Sequence, residues 1–187
     1  MAKLSTDNLN ALTTAQVAVL NSAQLGALGT TQIAALETAD VAALSTGALR
    51  GWNAGQIAAL STDAVVALTT AQYASLTSTQ VAALATDQVQ ALQTADLVAL
   101  GTAGVRALLS EQLNALASDQ VAALTTAQVA ALTTGQIAKL ASDALVAMTS
   151  TQFAAITATQ AAALGSDQAA ALESQDVAAL ATAALVA

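Results

Sequence analysis

The sequence contains no cysteine and no histidine, and only one Trp, one Tyr and one Phe among 187 residues. Without Cys there are no disulfides and no thiolate metal sites, and without His the usual transition-metal ligand is missing. Three aromatics, Trp52, Tyr73 and Phe153, do not make a large jigsaw core, although 56% of the chain is apolar. Most of that fraction is alanine, which suggests many small, equivalent contacts. Cations are as scarce: Lys3, Arg50, Arg106 and Lys139 stand against twelve acids, for a net charge of −8. A nucleic-acid binder clusters its cations to displace counterions, and these four are scattered, so nucleic acid and anionic membranes are poor partners. No stretch approaches eighteen apolar residues, because a Ser, Thr, Gln or Asp interrupts every few positions, so no membrane insertion is expected. The start, Met1-Ala2-Lys3-Leu4-Ser5, lacks the hydrophobic core of a signal peptide.

Catalytic chemistry is equally thin. Acid–base or nucleophilic catalysis needs unlike groups converging in a pocket, and here the many hydroxyls have no His or Cys partner. The Gly-Thr-Ala-Gly stretch at 101–104 lacks the Lys of a phosphate-binding loop. Calcium would need acids such as Asp87 and Asp96 to meet between coils, and no Asp-x-Asp-x-Asp-Gly loop supports it. The chain is read as no enzyme, with no catalytic, cofactor-binding or metal residue assigned.

What is present is one phrase of eight residues, as in Thr125-Thr126-Ala127-Gln128-Val129-Ala130-Ala131-Leu132. The register runs unbroken as twenty-two complete octads over residues 5–180 and a partial octad at 181–187, a single repeat domain over 1–187. The eighth position is Leu except at Trp52, Met148 and Ile156, and the second is Ser or Thr except at Ala54 and Ala158. The fifth is mainly branched aliphatic, the seventh nearly always Ala, and the fourth most often Gln.

This period selects the conformation. In one continuous helix, eight residues at about 100° each leave a leftover rotation of about 80°, so the leucines would spiral and form no seam. A β-coil would put the fifth and eighth positions on opposite faces and build strands from Ala-Ala-Leu, which favours helix. Short helices remain, and each octad spells a helix start. A Ser or Thr hydroxyl at the first or second position can accept from backbone N–H groups two or three residues on, and the first-position residue with the fourth-position Gln has capping-box spacing. Asp7, Asp63, Asp87, Glu111, Asp119, Asp143 and Asp167 directly follow the second-position hydroxyl, where negative charge suits a helix N-terminus. The fifth and eighth positions then share a buried face, while the sixth, which carries Asn10, Arg50, Gln90, Arg106 and Asn114, points to solvent. Helices this short are unstable alone and must be held by neighbours. The expected fold is an all-α solenoid, one very short helix per octad, with three to four octads per coil; the alternative is two-octad hairpin layers.

The glutamine column reads first as structural, its amide satisfying backbone groups left open at helix ends or bonding to the next Gln along the stack. Its functional reading is a regular polar lattice offered to a ligand. Decorations recur at ten octads, pairing Tyr73 with Phe153 and Asp96 with Asp176, as a segmental duplication would. Gly47, Gly51 and Gly55 cluster around Trp52, which reads as a core leucine replacement with glycines making room for it. Arg50, Trp52, Tyr73, Arg106 and Phe153 are the residues a contact site would use.

Leu124-Thr125-Thr126-Ala127-Gln128-Val129-Ala130-Ala131-Leu132 resembles the helix opening of transcription-activator-like effector repeats over nine residues. That repeat is about four times longer, more basic, and carries a base-reading pair absent here, so the likeness implies shared capping and no binding residues. The whole array resembles the T-T-x-Q-V-x-A-L octapeptide tracts of large, repetitive bacterial proteins, often surface-associated. This resemblance implies a spacer, stalk or scaffold segment, extracellular or at the cell surface, with both ends reading as mid-array. Two rivals stand beside it: a binding module presenting a polar face to a protein, glycan or ice-like lattice, and a filament former stacking end to end.

Overall fold

The computed structural model describes residues 1–180; the partial octad at 181–187 lies outside them. Twenty-two helices, numbered in chain order from α1 (Thr6–Asn10) to α22 (Ser174–Ala179), occupy one octad each, and no strand occurs among the described residues. The fold is an all-helical solenoid. Each helix packs on the helix three places further on, from α1 against α4 (Thr30–Ala34) through α19 (Ser150–Phe153) against α22. A coil is therefore three octads, and the solenoid has three helical sides. The two-octad layer and the four-octad coil are both set aside.

Each helix is made by the residue before it. The N-cap is the first octad position, not the second: Thr13, Asn53 and Thr125 have extended backbones, and their side chains accept from the N–H three residues on. Acids at the third position therefore sit in the first turn, as at Asp63, Asp87 and Asp119. Some helices run to the eighth position, where Leu44, Leu68 and Leu132 return to extended φ and ψ and turn the chain into the next cap, and others end earlier, as at Ala59 and Ala83.

The core is a column of fifth- and eighth-position side chains. Ile33, Val65, Val89 and Ile137 at the fifth position are fully buried, and Leu44, Leu60, Leu84 and Leu108 at the eighth nearly so. Fully burying one such residue is worth about 1.5–3 kcal/mol, which no isolated octad can obtain. Two places depart from the regular coil. Gly51 packs against α3 (Ser22–Gly26) so closely that a Cβ there would lie 2.1 Å from the Ser22 carbonyl oxygen. The approach places Trp52 in a leucine site at 3% exposure, its indole Nε1 without a hydrogen-bond partner. Between α12 (Thr94–Ala99) and α13 (Gly101–Ala107), Leu100 stays helical and Gly101 takes φ 65°, so these consecutive helices touch each other.

Candidate functional site

The most elaborately bonded feature of the molecule is the joint between successive coils, and it is built by the fourth octad position. Thr69 N–H donates to Gln72 Oε1 (2.7 Å), closing the cap of α9 (Thr70–Ser75). The other end of the same amide leaves the coil: Gln72 Nε2 donates to the carbonyls of Val41 (2.9 Å) and Leu44 (2.8 Å). These lie 31 and 28 residues back, at the C-terminal end of a helix in the coil below, where Val41 O also accepts the Leu44 N–H and Leu44 O has no i+4 donor. One side chain thus satisfies a donor at one helix start and acceptors at another helix end.

The pattern is repeated by Gln56 on Leu25 and Leu28, Gln80 on Leu49 and Trp52, Gln120 on Val89 and Leu92, and Gln152 on Val121 and Leu124. It holds where the cap is Ala or Gly: Ala85 N–H donates to Gln88, and Gly165 N–H to Gln168. All these glutamines are buried, so the ladder faces the interior and offers no lattice to an outside ligand. Gln128 shows the dependence on helix ending: with Leu100 helical, its Nε2 donates to Leu97 and Val98.

The column is interrupted by other residues. Ala48, Ala64, Gly104 and Ala144 take the Gln position, and beside Ala144 lies a solvent-open cleft of about 120 Å³, lined by Asn114, Leu116, Ser118 and Asp143 among others. Asp40, Asp96 and Asp176 also take it, and all three are buried. Fourth-position acids thus point into the joint, whereas third-position acids such as Asp63 and Asp119 are exposed. A polar sixth position adds a lighter tie upward. Asn10 Nδ2 donates to Ala35 O (2.8 Å), Asn114 Nδ2 to Lys139 O (2.9 Å), and Arg50 Nε to Ser75 O (3.3 Å).

The five candidate contact residues are not brought together. Trp52, Tyr73 and Phe153 are core side chains at 3%, 1% and 0% exposure, whereas Arg50 and Arg106 are exposed on different sides of the solenoid. The Tyr73 hydroxyl donates to the Val65 carbonyl. Asp87 is exposed and Asp96 buried, and the described residues hold no group of three or more His, Cys, Asp or Glu side chains able to bind a metal. Among the described residues no helix is long and apolar enough to cross a membrane. Exposed acids do form columns. Asp63, Asp87 and Glu111 recur at the 24-residue coil period on one side, and Asp119, Asp143 and Asp167 on another.

A solenoid of capped eight-residue helices defines a tandem-repeat protein, and the comparison with family models agrees. The ALTTAQ repeat matches four times, at residues 1–38, 33–70, 65–94 and 89–126. The chain belongs to the ALTTAQ repeat family. A search of curated proteins finds no match.

Proposed function

We propose that this chain is a non-enzymatic structural segment, a spacer or stalk within a larger, surface-associated bacterial protein. The observation that carries this reading is the uniformity of the joint. The same amide, at the same octad position, recurs in most octads and reaches carbonyls 28 and 31 residues back both at Gln32 near one end and at Gln168 near the other. A chain built this way gains length by one coil for every 24 residues without needing any special site. The polar groups of the ladder are spent on internal bonds, which removes the main argument for a ligand-facing lattice. The bacterial surface setting rests on the resemblance to octapeptide tracts.

Small-angle X-ray scattering after size exclusion, over a concentration series, tests the reading. With helices stacking at about 8–10 Å, the solenoid should be a rod roughly 60–75 Å long whose profile does not change with concentration. A rod that lengthens as concentration rises would replace the spacer with end-to-end self-association.

A further inference from the structure

Asp40 and Asp96 stand where the ladder needs a donor. Both are buried, at 3% and 4% exposure. By the register of the glutamines, Asp40 belongs over the carbonyls of Leu9 and Leu12, and Asp96 over those of Val65 and Leu68. A glutamine there accepts with one end and donates with the other; an ionised carboxylate only accepts, and a protonated carboxyl regains one donor. Neither closes a capping box of its own, unlike Asp176, whose carboxylate accepts from Glu173 N–H at 3.0 Å. The joint below Asp96 is already partly repaired from elsewhere, because the Tyr73 hydroxyl donates to Val65 O, one of the two carbonyls a glutamine would have taken. At the equivalent place ten octads on, Phe153 has no hydroxyl to offer.

The surroundings do not favour a buried charge. The elements packed on α12 are α9, α13 and α15 (Ser118–Ala123), with Tyr73, exposed Arg106 and exposed Asp119 as their titratable or charged groups. Those on α5 (Thr38–Ala43) are α2 (Thr14–Ala18), which carries none, and α8 (Thr62–Ala67), which carries exposed Asp63. Asp7 in the coil below α5 and Asp63 in the coil below α12 are also exposed, and Glu37 caps α5 itself. Burial pushes the Asp40 carboxyl up, with Glu37 adding to it, and burial pushes Asp96 up. Burial and then the Asp96 charge push the Tyr73 hydroxyl up as well.

We propose that Asp40 and Asp96 are proton-operated latches between coils: protonated, each donates to the coil below and closes its joint; ionised, each withdraws that donor, leaving the Leu12 or Leu68 carbonyl without a side-chain partner, and loosens it. A carboxyl whose folded pKa lies above its unfolded value stabilises the fold fully below the unfolded value, 3.8, and loses that contribution as pH rises through the folded value. The rod is thus tightest in mild acid, which goes beyond its use as a spacer and does not depend on it.

The test is thermal unfolding of the full chain from pH 3.5 to 8 beside the Asp40→Gln/Asp96→Gln double variant. The exposed acid columns are common to both proteins and cancel in the difference. The variant should melt about 4 °C or more higher at pH 7.5, with the gain shrinking toward pH 3.5 to what the added cap bonds from Glu37 N–H and Gln93 N–H contribute. Carboxyl-carbon NMR titration of the unmodified protein supplies a readout independent of any variant, with midpoints for both residues above 3.8 expected. Parallel melting curves, or midpoints at or below that value, would overturn the proposal.

Discussion

Replacing Gln120 by Ala tests the ladder at a joint where one side chain carries every bond. Its Oε1 accepts from Ala117 N–H (2.8 Å), and Ala117 has no side-chain cap of its own. Its Nε2 donates to the carbonyls of Val89 (3.2 Å), Gln90 (3.2 Å) and Leu92 (2.7 Å). Losing the cap bond costs about 1 kcal/mol, and leaving the buried Leu92 carbonyl without a donor costs about 1–3 kcal/mol, whereas Val89 O keeps the Leu92 N–H. The sum is about 2–4 kcal/mol. At roughly 2–4 °C per kcal/mol for a chain of this size, the melting temperature should fall by on the order of 10 °C. Urea unfolding followed by circular dichroism gives the free energy, and amide exchange locates it: protection should fall first at residues 85–92 and 117–124. Because neighbouring coils contribute separately in a solenoid, the weakened joint should also broaden the transition. Gln120→Glu separates the two roles, since it keeps the acceptor and removes the donor; at neutral pH it should destabilise at least as much as Ala. A loss below about 0.5 kcal/mol for Gln120→Ala would refute the ladder as the inter-coil tie.

Other sites give sharper geometric tests. Ala144→Gln should fill the cleft of about 120 Å³ beside it and supply the missing amide, raising stability by about 1–2 kcal/mol in urea titration. Gly51→Ala places a Cβ 2.1 Å from Ser22 O, a backbone atom that cannot swing aside, so a loss of about 3 kcal/mol is expected. Gly101→Ala meets open space but must hold φ 65°, and should cost only about 1–2 kcal/mol by the same measurement. Excising residues 109–132, three octads, should leave a folded rod shorter by about 8–10 Å in scattering.

The helix-per-octad architecture was legible because each octad carries its own signals. The capping spacing marks each start, the fifth and eighth positions share a face, and the polar sixth-position substitutions mark the outside; Val65, Leu68 and Asn114 all sit accordingly. Coil size was less legible because it lies between octads. Asp63, Asp87 and Glu111 at 24-residue intervals do record it, but octads 14 and 15 both carry an acid and blur three with four. The column of glutamines was visible, and its role as a satisfier of helix ends was foreseeable. Which helix end was not, since a reach of 28 and 31 residues follows only from three-dimensional stacking. Asp40 and Asp96 were missed because acids were read by charge alone. Aligning them with the glutamines instead of with Asp87 gives the signal: a fourth-position acid replaces a buried amide.

Three octads per coil is the claim on which the ladder, the latches and the rod length all depend. The absence of native cysteine allows a direct measurement, with spin labels on Ala34→Cys and Ala130→Cys, both exposed sixth-position residues on the same side of the solenoid. They are separated by 96 residues, which is four coils of three octads, and dipolar spectroscopy should give roughly 32–40 Å. A distance near 50–60 Å would mean two-octad layers, one near 25–30 Å four-octad coils, and either would contradict the account.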